Sequence, residues 1–122
     1  MADISYSITM KVDKDNLSNA VSASGITATM GQVGLQSMTL ALTTSATAIS
    51  TASLSSVGMA FLRNLSTSTT STAQVGITAG GSFVPLCTLR AGEPQIFRMT
   101  TGQAYAAIGT TGTRLRVDIT EG

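Results

Sequence analysis

Ile4, Tyr6, Ile8, Met10 and Val12 alternate with Ser5, Ser7, Thr9, Lys11 and Asp13, the period of two that places successive side chains on opposite faces of a strand. The run ends at Asp13-Lys14-Asp15-Asn16, a cluster of turn formers. Ile26, Ala28 and Met30 repeat the period between Gly25 and Gly31 and predict a second strand over residues 26–30. Val33 and Leu35 then set one phase while Met38, Leu40 and Leu42 set the other, which predicts a bulge or bend at Gln36-Ser37 that returns both sets to the core. From Thr43 to Ser56 only Ile49 and Leu54 are large and apolar. The expectation there is a loop containing a short strand, with a short helix as the alternative.

Gly58 opens the run Met59-Ala60-Phe61-Leu62-Arg63-Asn64-Leu65, whose near-continuous apolar character predicts a central strand buried on both faces. Ser66 to Thr72 is entirely Ser and Thr, a mobile loop or the polar edge of a hairpin, and Ala73, Val75 and Ile77 resume the period of two. Gly80-Gly81, Gly92-Glu93-Pro94, Thr101-Gly102 and Thr111-Gly112 read as turns. They bound strands over 83–89, 95–99, 103–108 and 115–119. Eight or nine short strands with a turn about every ten residues is the spacing of an all-β fold. We expect an antiparallel β-sandwich, jelly-roll-like, formed by residues 1–122 as a single domain.

Composition changes this picture in one respect. Between Asp15 and Arg90 the chain carries a single charged side chain, Arg63. A surface so poor in ions is expected to be covered by other subunits. With 7 basic and 6 acidic residues the formal net charge is +1, which gives no electrostatic footprint for nucleic acid, where a clustered basic face would be expected. Apolar runs are too short for a membrane-spanning helix, and five aromatic residues do not supply the girdles of an outer-membrane barrel. Neither nucleic acid nor membrane is an expected partner. Met1-Ala2-Asp3 lacks the features of a secretory signal and Cys87 is the one cysteine, so synthesis in a reducing cytoplasm is expected.

The absence of histidine removes the Ser-His-Asp and Cys-His nucleophile arrangements and the commonest transition-metal ligand. Cys87, flanked by Leu86 and Thr88 in an expected strand, reads as a small core residue. The six carboxylates occupy ordinary solvated positions. Asp13-x-Asp15 opens like a calcium loop but continues with Leu17 and without the required Gly and Glu. Gly80-Gly81-Ser82 lacks the lysine of a phosphate loop. No catalytic residue, metal site or cofactor is expected, and the chain reads as a non-enzyme.

Two arginines remain as candidate interface residues. Arg63 either lies at a strand end with its guanidinium in water or on a local carbonyl, or is buried against a partner subunit, since Arg is enriched in interface cores and pairs carboxylates bidentately. Arg98, beside Phe97, admits the same two readings. The N-terminal strand, residues 1–15 with Tyr6 and Ile8 on its apolar face, either pairs within its own chain or acts as an arm that adds to a neighbour's open sheet edge.

The order Gly58-Met59-Ala60-Phe61-Leu62-Arg63-Asn64-Leu65, Val75-Gly76, Phe83-Val84-Pro85-Leu86, Leu89-Arg90-Ala91-Gly92-Glu93 and Ile96-Phe97-Arg98 resembles small virion proteins of tailed bacteriophages. The resemblance covers roughly residues 58 to 121. It departs at the Ser/Thr tract 66–72, and the N-terminal half matches loosely. It implies a sandwich that coats the particle as a capsid decoration (cement) protein, often trimeric, with itself and the major capsid protein as partners. The implied place is the capsid surface, after synthesis in the bacterial host cytoplasm, with Arg63 and Asn64 in the shared pattern as interface candidates. A tail or fibre component is the alternative, disfavoured by the lack of a long heptad repeat, and a glycan-binding module is a further one, disfavoured by few aromatics and no tryptophan.

Overall fold

Alternation over the first segment produces a strand, and the next segment folds back upon it. In the computed structural model, which describes residues 3–122, β1 (Ile4–Lys14) pairs antiparallel with β2 (Leu17–Ala28). The turn is Asp15-Asn16, with Asp15 at φ 52°, a left-handed conformation that Asp adopts more readily than most residues. The second strand therefore starts at Leu17 rather than Ile26, and Met30 falls beyond its end. Its early half was hidden because Leu17 to Ser24 holds only two large apolar residues, Leu17 and Val21.

The register of this hairpin shifts between Tyr6 and Ile8. Tyr6 faces Ile26 whereas Ile8 faces Ala23, which leaves one extra residue on β2. Gly25 sits in this bulge at φ 67°, a conformation in which any side chain is strained. The bulge reverses the phase of β2, so Ile26 and Ala28 lie on the same face as Ala23, Val21 and Leu17. Ala28, Ile26, Ala23 and Val21 oppose Ile4, Tyr6, Ile8 and Met10, while nearer the turn Val12 faces Asn19 and Lys14 faces Leu17. One face of the hairpin is thus mainly apolar and the other mainly polar.

The chain divides into two compact units, Met1–Gly31 and Gln32–Gly122. The second holds the remaining eight strands: β3 (Leu35–Ala41), β4 (Thr47–Ala48), β5 (Val57–Asn64), β6 (Thr72–Ala79), β7 (Ser82–Arg90), β8 (Pro94–Arg98), β9 (Tyr105–Gly109) and β10 (Arg114–Glu121). All pairing is antiparallel, in two four-stranded sheets ordered β3-β10-β5-β8 and β4-β9-β6-β7. Within this unit the first strand pairs with the last, the second with the second to last, and so inward to the β6–β7 hairpin. A long antiparallel ribbon folded over in this way is a jelly roll, the double-sheet arrangement of many viral capsid and lectin domains. The sandwich is built by residues 32–122, and the hairpin precedes it.

Alternation selects its core. Leu115, Val117 and Ile119 from β10 meet Ala60 and Leu62 from β5, and Ala73, Val75 and Ala107 face them from the second sheet, with Leu42, Ile49 and Leu89 filling in. All four turns expected in the C-terminal third form at glycines with left-handed φ, namely Gly80, Gly81, Gly92, Gly102 and Gly112, and β7 to β10 follow them in order. The short strand expected between Thr43 and Ser56 is β4, and no helix occurs among the described residues.

The expected bulge at Gln36-Ser37 is absent. The ladder between β3 and β10 runs without a break from Ala41 to Leu35, and the two phases resolve because Val33 and Leu35 stay exposed. A bulge occurs instead where β6 meets β7, between Val75 and Gly76. A Cβ on Gly76 would collide with the Val84 carbonyl oxygen.

Candidate functional site

Pairing of β5 with β10 and β8 gathers cations that are distant in sequence. Register places Arg116 beside Arg63, Asp118 beside Phe61, and Phe61 beside Ile96, while Arg98 faces Met59. These side chains alternate with the buried set Ala60, Leu62, Leu115, Val117 and Ile119, so they lie on the outer face of the β3-β10-β5-β8 sheet. Arg114 is two residues along β10 from Arg116, on the same face. Four of the seven basic residues thus share one sheet surface.

Asp118 is the carboxylate on that surface, and both of its oxygens are engaged. Its Oδ2 accepts from Arg116 Nε at 2.7 Å, and its Oδ1 accepts from the Ser37 hydroxyl. Arg63 Nε donates to the Gly92 carbonyl at 3.2 Å, the local-carbonyl arrangement, while the side chain remains exposed. Arg98 and Arg114 are exposed as well. A shallow groove of about 450 Å³ runs beside Arg116 and Asp118, floored by Ser37, Thr39 and Leu65.

Asn64, adjacent to Arg63, points the other way. It is fully buried; its Nδ2 donates to the Leu89 carbonyl at 3.1 Å and its Oδ1 accepts from the Ser66 amide at 3.0 Å. It ties β5 to β7 and fixes the entry to the Ser/Thr tract, a structural role within one chain. Glu121 behaves similarly: buried, it accepts from the Ser55 and Ser56 amides at 2.9 and 3.2 Å and fastens the segment before β5 to the end of β10.

Tyr6 and Ile8 lie on the apolar face of the hairpin, whose β1 strand pairs with β2 in the same chain. Tyr6 is half-buried. Ile8 is 48% exposed, Met10 55%, Leu17 60% and Val21 49%, and a groove lined by Ile8, Met10, Val21, Ser22 and Ala23 runs along them. Residues 1 and 2 of the expected arm lie outside the described residues.

Among the described residues no group of His, Cys, Asp or Glu is placed to hold a metal ion. Cys87 packs at the edge of the core, where burial raises its thiol pKa, opposed in part by a hydrogen bond with the Val75 backbone; such a thiol is a poor nucleophile. The cleft beside it, lined by Val75, Leu86, Gln95, Phe97 and Tyr105, holds about 220 Å³, below the size of ordinary small-molecule sites.

Arg63, Arg98 and the hairpin face were visible in the sequence as candidates, and Arg114 and Arg116 were not singled out. The alternation of β10 marked them as outward, but only the strand order puts β10 beside β5 and makes one patch of them. No protein-family model, curated protein or solved structure matches this chain.

Proposed function

We propose that this protein is a non-enzymatic structural subunit of a tailed-bacteriophage virion, which binds the outside of the capsid and stabilises the shell. The observation that carries the assembly part of this reading is the apolar face of the N-terminal hairpin. A two-stranded unit has no second layer with which to cover such a face, and isolated hairpins are marginal in water. Four large side chains on this one remain about half exposed, and completing their burial against a partner contributes on the order of 1 kcal/mol each.

The jelly-roll topology and the resemblance in residues 58–121 support the viral part. A surface with a single charge between Asp15 and Arg90 suits a module that spends its life covered, and many weak contacts suffice when copies bind together on a lattice. Self-association, as in the trimers common among decoration proteins, fits the same surface.

Shells prepared without this chain test the reading. They are expected to release their DNA at a lower temperature than complete particles and to recover on addition of the purified protein. Equal thermal release with and without the protein would overturn the stabilising role.

A further inference from the structure

We propose that the outer face of the β3-β10-β5-β8 sheet is a docking surface for an acidic protein, with Arg63, Arg98 and Arg114 as its carboxylate-binding side chains. The proposal rests on the assembly reading and adds the chemistry of the partner, which that reading leaves open.

Three features of the face point this way. First, its charge is uncompensated. Asp118 is paired with Arg116 and Ser37, and Arg63, Arg98 and Arg114 face no carboxylate across the sheet. Second, Arg63 stands directly opposite Arg116 in the ladder, about 5 Å away at strand spacing. Like charges at that position oppose sheet pairing. Asp118 already offsets part of this repulsion through Arg116, and a carboxylate arriving beside Arg63 removes what remains of it. Third, the surroundings have the composition of a protein contact. Phe61 and Ile96 are half-buried between the arginines, Leu65 is 43% exposed beside the groove, and arginines around a partly apolar centre are typical of interface hot spots.

Nucleic acid fits less well. Three arginines without a carboxylate partner neutralise few phosphates compared with the about six to ten contacts of typical duplex binders, and no exposed aromatic ring on this face offers a stacking platform. A guanidinium fork, by contrast, matches a carboxylate with two parallel hydrogen bonds.

The full-length protein, poly-L-glutamate as probe and a short DNA duplex as comparison provide the test. Titration followed by NMR is expected to shift the side-chain Nε–Hε signals of Arg63, Arg98 and Arg114. Affinity should fall about tenfold or more between about 50 and 200 mM salt, as for other multi-cation contacts. The combined variant Arg63→Gln, Arg98→Gln, Arg114→Gln should lose binding about tenfold or more, whereas Lys11→Gln with Lys14→Gln should retain it. Absent binding at low salt, undiminished binding by the arginine variant, loss in the lysine variant instead, or tighter binding of the duplex would each overturn the proposal. If the arginine variant does not fold, the wild-type spectra decide: shifts at Arg90 and the lysines in place of the three arginines overturn it. Failure of the shell reading would register separately, since this titration uses no particle.

Discussion

Asn64 and Arg63 adjoin on β5 and point to opposite sides of the sheet, which separates what each contributes. Replacing Asn64 by Ala leaves the Leu89 carbonyl and the Ser66 amide without their partner and is expected to cost about 1–3 kcal/mol, a fall in Tm of roughly 10 °C for a domain of this size. Arg63→Ala removes one exposed side chain and relieves its opposition to Arg116, so stability should stay within about 0.5 kcal/mol. Thermal denaturation of both variants checks the pair; similar losses would contradict the assignment. Cys87 supplies a pH dependence. Burial raises its thiol pKa in the folded chain, so the folded state holds its proton where the unfolded state has lost it. Its contribution is complete below the unfolded thiol value and is lost as pH rises through the folded one. Urea midpoints should decline across that alkaline window in the wild type and decline less in Cys87→Ala.

At the scale of elements, the period of two located nearly every strand, and glycine-bearing turns bounded those of the C-terminal third. It failed where residues beyond the strand decide the outcome. Val33 and Leu35 suggested a phase change and a bulge, but the unbroken β3–β10 ladder leaves them exposed. The bulge that does exist at Gly25 was invisible because a lone glycine between Ser24 and Ile26 reads as a strand boundary. That bulge gives the hairpin its single apolar face, and the face makes a prediction. Met10→Asp places a charge among Ile8, Val21 and Ala23, so co-sedimentation of the protein with shells that lack it should be lost. The melting temperature of the sandwich, residues 32–122, should stay unchanged. Retained co-sedimentation would show that the hairpin face is not the contact.

For the whole molecule, the fold class was legible and the topology was not. Turn spacing counts strands but does not say that β10 lies between β3 and β5, and that neighbourhood creates the arginine face from Arg63, Arg98, Arg114 and Arg116. The hydrogen bonds of Asn64 and Glu121 are equally long-range, the first reaching β7 of the other sheet and the second joining the end of β10 to the segment before β5. What sequence did carry at this scale was the dearth of charge between Asp15 and Arg90, which the proposed assembly would use in contact between subunits. Cryo-electron microscopy of purified virions is expected to show density for this jelly roll on the outer surface of the capsid, with the hairpin's Ile8–Met10 face buried against a neighbouring subunit. Density confined to the tail, or particles that lack the chain altogether, would contradict it.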